Sequence, residues 1–63
     1  MEIKVNNEAR VVDSGMTVAR LIGDNTAGVA VAVNGKVVRK SEWETAVLND
    51  GDDVVVIHAA YGG

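Results

Sequence analysis

The sequence predicts a small α+β domain in which a valine-rich sheet packs on one short helix, and three observations predict it. Apolar and polar residues alternate along two arms that meet at Asn6-Asn7. Val18, Leu21 and Ile22 repeat at helical spacing. A second pair of arms meets at Asn34-Gly35, ahead of a final apolar run, Val54-Val55-Val56-Ile57. A period of two marks half-buried strands, and a spacing of three to four marks one face of a helix. Sixty-three residues make one domain, which at this size buries only about 60% of the surface its unfolded chain exposes. Hydrophobic content is 48%, yet only Trp43 and Tyr61 are aromatic. The core must therefore come from Val, Ala, Ile and Leu, and abundant valine favours sheet.

Taken in order, Ile3 and Val5 alternate with Glu2, Lys4 and Asn6, and Ala9 and Val11 alternate with Glu8 and Arg10. Asparagine tolerates the left-handed backbone of a tight turn, so residues 2–12 read as a first hairpin. Asp13-Ser14-Gly15 breaks the pattern, and Thr17 caps the helix that carries Val18, Leu21 and Ile22. Gly23, or Asn25 followed by Gly28, supplies a stop that accepts positive φ. Val29–Val33 is apolar throughout and reads as a strand covered on both faces or bordering a partner. Asn34-Gly35 then turns the chain back through Lys36-Val37-Val38.

Ser41-Glu42-Trp43-Glu44 has the form of a capping box opening a helical turn or 3₁₀ segment. Trp43 reads as a lid over the core, since buried aromatics dominate small cores. Val47-Leu48 pack back inward. Asn49-Asp50-Gly51-Asp52 forms a turn, and Asp50, Asp52 and Asp53 read as its solvated acids, because they lack the ligand series of a calcium loop. The last strand, roughly residues 53–59, comes from far along the chain, and its apolar run suits the middle of the sheet. Lys36, Arg39 and Lys40 read as a solvated edge that discourages edge-to-edge pairing.

Several functions are excluded. A net charge of −3 argues against nucleic acid, whose binders cluster Lys and Arg on one face. No apolar run is long enough to span a bilayer, and the first residues, Met1-Glu2-Ile3-Lys4, do not resemble a leader. The absence of cysteine removes disulfides, thiolate metal sites and a cysteine nucleophile, and fits a reducing cytoplasm. No GxxxxGK[ST] phosphate loop is present. His58 has no nucleophile or metal-ligand companion nearby in sequence and reads as an ordinary strand residue. No residue is assigned a catalytic or metal-binding role.

The stretch that points to a function is Ala59-Ala60-Tyr61-Gly62-Gly63. Two residues without Cβ can enter a channel too narrow for side chains, and the last four residues reach about 13 Å when extended. The sequence therefore offers a carboxylate to another protein's active centre, unless the glycines reflect only the tolerance of chain ends. One helix covers one face of a sheet, and Val55, Ile57 and Ala59 alternate opposite Val54, Val56 and His58. Val55, Ile57 and Ala59 are thus candidates for docking a partner beside the tail. The alternative is that they pack only against neighbouring strands.

These residues resemble the ThiS-type sulfur carriers, ubiquitin-like proteins of the β-grasp fold, along the whole chain. The resemblance is carried by Val5-Asn6, Thr17-Val18 with Leu21, Val31-Ala32-Val33-Asn34, Val37-Val38 leading to Trp43, Leu48, Asp50-Gly51-Asp52, Val54, Val56 and Gly62-Gly63. It implies a mixed sheet of four to five strands curled around the helix, with residues 60–63 a flexible tail on a single domain. It also implies a protein cosubstrate with no activity of its own and no bound cofactor. A ThiF-like enzyme would use ATP to adenylate Gly63, a sulfur donor system would convert it to a thiocarboxylate, and a ThiG-like thiazole synthase would receive the sulfur for thiamine. Gly62 and Tyr61 would enter the partner's channel. Two positions depart from the family pattern: Arg39 stands where a proline is common, and Tyr61 where a small or apolar residue precedes the glycines. A MoaD-like carrier for molybdopterin synthesis or another sulfur relay, a passive binding module, and a modifier that joins lysines share the same expected fold.

Overall fold

The computed structural model describes residues 1–24 and 27–59. Backbone geometry at the two asparagine turns sets the architecture. Asn6 and Asn7 sit at φ 51° and 68°, and Asn34 and Gly35 at 51° and 82°, the left-handed values that a two-residue hairpin matched to strand twist requires. The first turn joins β1 (Glu2–Val5) to β2 (Glu8–Val11), and the second joins β3 (Val29–Val33) to β4 (Lys36–Val38). Between the hairpins, α1 (Val18–Ile22) is capped by Thr17, whose Oγ1 accepts from the Arg20 amide at 3.2 Å. Of the two stops expected, Gly23 ends the helix, at φ 76° with its amide donating to Ala19.

The last strand, β5 (Asp53–His58), inserts between the hairpins to give the order β2-β1-β5-β3-β4. It runs parallel to β1, with Val54 beside Val5, and antiparallel to β3 over five paired positions from Val33↔Val54 to Val29↔His58. The sheet is therefore mixed and five-stranded, with its longest strand at the centre. Inward side chains Ile3, Val31 and Val54 meet Val18 of the helix, Trp43 and Leu48 in one buried cluster. Trp43 closes it as the expected lid and donates from Nε1 to the Val38 carbonyl at 2.9 Å.

The structure corrects four local expectations. Ser41 does not cap a turn: the 3₁₀ segment spans Lys40–Glu42, its N-cap is Arg39, and there is no side-chain cap. The Arg39 carbonyl accepts from the Glu42 amide at 2.8 Å, so Ser41 is already inside the turn. Val47 is 56% exposed, and only Leu48 of that pair packs inward. The backbone at Val47 bridges to Thr17 in extended form, which sends adjacent side chains to opposite sides. Every residue of β2 is exposed: Ala9 and Val11 pair with Lys4 and Glu2 on the face away from the helix, so the apolar side of this edge strand has no layer over it. Asp52 is buried rather than solvated, because the Asn34 side chain and the Asn49 amide both donate to it. Asp50, by contrast, is exposed and accepts from the Glu2 amide.

Candidate functional site at the end of the central strand

Antiparallel pairing fixes which side chains share the face of the sheet away from the helix, because residues directly opposite one another project to the same side. Val55 lies opposite Ala32, Ile57 opposite Ala30, and Ala32 opposite Val37. Val37 is 78% exposed, Ile57 58% and Val55 40%. These residues form an apolar patch centred on β5, flanked on β1 by Lys4, which pairs with Asp53. β3 is therefore open on one face in the isolated chain rather than covered on both. Of the docking residues expected from sequence, Val55 and Ile57 lie on this patch. Ala59 follows the strand, is exposed, and donates its amide to the Gly28 carbonyl at 2.7 Å.

Tyr61, Gly62 and Gly63, with the rest of residues 60–63, lie outside the described residues. The strand that leads to them is held from both sides. On the β3 side, pairing continues to Val29↔His58 and ends at the Ala59–Gly28 bond. On the β1 side, ladder pairing stops at Val5↔Val54, and the Asn6 side chain takes over. Its Oδ1 accepts from the Val56 amide at 2.8 Å and its Nδ2 donates to the Val56 carbonyl at 3.2 Å.

On the helix side of the strand end, Asn6, Arg10, Leu21, Val56 and His58 border a groove of about 200 Å³. His58, the last residue of β5, is exposed there. Among the described residues no group of three or more His, Cys, Asp or Glu side chains comes together as a metal site. A wider cleft of about 630 Å³ lies between α1 and the Trp43 turn, and no residue of β5 lines it. No helix among the described residues is long and apolar enough to cross a membrane.

Two features escaped the sequence reading. Asn6 reads locally as a turn residue only, since its partner is 50 positions away. Ala30, Ala32 and Val37 extend the patch, and here a signal existed: the two-residue loop at Asn34-Gly35 sets the register that places Val37 opposite Ala32.

Five strands in this order on a single helix make the molecule a ubiquitin-like β-grasp protein whose notable surface is the flank and tip of its central strand. The ThiS family model matches residues 1–63, and the chain belongs to that family. It is 30% identical over 66 aligned positions to the sulfur carrier protein ThiS of Escherichia coli strain K12, covering the whole of both chains. It is also 33% identical to a thiazole synthase of Paramagnetospirillum magneticum, of which the full chain matches only 20%. The crystal structure of the thiamine biosynthesis protein ThiS from Geobacter metallireducens superposes with a TM-score of 0.83 at 26% identity, again over the whole of both chains.

Proposed function

We propose that the protein carries sulfur for thiazole formation in thiamine biosynthesis, on a thiocarboxylate made at Gly63. The observation that carries this reading is the end-to-end match with a sulfur carrier, which brings Gly62-Gly63 within the aligned region. A carboxylate is a poor electrophile, so sulfur attaches only after an oxygen of Gly63 has attacked the α-phosphorus of ATP and released pyrophosphate. Sulfide-level sulfur from a donor then attacks the acyl carbon, AMP leaves, and a thiocarboxylate remains. The sequence has no phosphate loop of the GxxxxGK[ST] kind for ATP, so a ThiF-like adenylating enzyme performs the activation, and ATP belongs to that enzyme.

The tail enters that enzyme through Tyr61 and Gly62, while Val55, Ile57 and Ala59 dock against it; exposed apolar patches of this kind mark interfaces. A thiazole synthase receives the sulfur. Support for that recipient comes from the thiazole synthase relative, which contains a stretch similar to this whole chain. The cysteine-free composition fits a cytoplasmic setting.

Intact mass after incubation with ATP, an adenylating enzyme and a sulfide source tests the proposal. An oxygen-to-sulfur exchange at the C-terminus, lost in a variant lacking Gly62 and Gly63, is the expected result. An unchanged mass, or covalent conjugates with other proteins, overturns it.

A further inference from the structure

The hydrogen bonds around β5 show an asymmetry between its two flanks. Asn6 and Asn34 are matched residues: both sit at φ 51° in two-residue turns, and both lay a side-chain amide against β5 or its entry. Asn34 works at the start, where Oδ1 accepts from the Asp53 amide at 3.0 Å and Nδ2 donates to Asp52 at 2.9 Å. Asn6 works near the finish, holding both backbone groups of Val56. Backbone N–H and C=O groups of successive strand residues point to alternate flanks. Val56 therefore faces β1, where no strand is paired beyond Val54, while Val55 and Ile57 face β3.

We propose that Asn6 is a positioning residue for activation of the C-terminus: it substitutes for the missing strand beside Val56, and with the β3 pairing that runs on to Ala59 on the other flank it fixes the direction in which the chain leaves the sheet. This inference rests on the carrier reading above. The docking patch does not depend on Asn6, because Val55 and Ile57 stay paired to Ala32 and Ala30. Loss of the clamp should therefore leave partner affinity intact and degrade only the placement of the reacting end. Small misplacement of a reacting group can lower a rate by up to about a hundredfold.

The test compares Asn6→Gly with Asn34→Gly. Glycine accepts the same positive φ, so each change removes a clamp without straining its turn. In steady-state adenylation with a ThiF-like enzyme, N6G should lower kcat by about tenfold and leave KM within about twofold of the unsubstituted protein. N34G should leave both within about twofold. Hydrogen exchange should quicken at the Val56 amide in N6G and not at Val55.

Equal kcat in the two variants, or a change of N6G confined to KM, overturns the inference. Should N6G not fold, Asn6→Asp decides by the same criterion: it keeps the acceptor for the Val56 amide and loses the donor to the Val56 carbonyl, so an intermediate kcat is expected and an unchanged one overturns the proposal. Failure of the unsubstituted chain to be adenylated at all sinks the carrier reading instead, which keeps the two failures distinct.

Discussion

Asp52 accepts two hydrogen bonds, from Asn34 Nδ2 at 2.9 Å and from the Asn49 amide at 2.8 Å, at only 9% exposure. It ties the β3–β4 turn to the loop before β5, two segments that sequence proximity does not join. Asp50, two residues earlier, is exposed and among the described residues accepts from the Glu2 amide alone. Hydrogen bonds to a charged group contribute more when buried and leave an unsatisfied donor when removed. D52A should therefore lower the unfolding free energy by about 2 to 3 kcal/mol, and D50A by about 1 or less. Urea denaturation of the two variants checks this; equal midpoints would restore the picture of a solvated acidic turn. The sequence showed a turn here through Asn, Asp and Gly. It did not show which aspartate is buried, because that depends on Asn34, 18 positions away.

At the scale of elements, local chemistry made much of the structure legible. Asn6-Asn7 and Asn34-Gly35 announced both hairpins, and Thr17 and Gly23 bounded the helix, since each of these acts on its own backbone. Ser41-Glu44 misled because a capping box needs the chain to enter at Ser41, whereas Trp43, held by the Val38 carbonyl, brings the turn in at Arg39. The open face of β5 and β3 follows from one helix on a five-stranded sheet, and it carries the docking prediction. V55K or I57D places a charge where the side chain is already 40% or 58% exposed. Surface changes of this kind usually shift stability by about 0.5 kcal/mol or less. Each variant should therefore keep its thermal midpoint close to the unsubstituted value and raise KM for adenylation. An unchanged KM would show that the face packs against nothing during the reaction.

For the whole molecule, the decisive quantity is the thinness of the core. At about 0.05 to 0.15 kcal/mol per residue, a chain of 63 residues has a total stability near 3 to 9 kcal/mol. Val54 is 0% exposed in the sheet's middle strand, and V54A removes two methyl groups from that buried site. Large-to-small core changes lose transfer energy and leave a cavity, together about 2 kcal/mol for this truncation. V54A should consequently forfeit about a fifth or more of the total, measurable as a lower urea midpoint with an unchanged slope. The parallel contact of β1 with β5 is a property of the same scale. From sequence, the resemblance implied a mixed sheet but not which strands run parallel, because alternation along each strand does not say which strand lies beside which.

That parallel contact also has a bearing on how the protein is made. A ribosome releases both hairpins before β5 emerges, so until then β1 and β3 each hold an unfilled edge where the central strand belongs. Pairings between residues this distant in sequence form late and slowly. A nascent chain stalled before Asp53 would thus lack the strand that joins its two hairpins into one sheet.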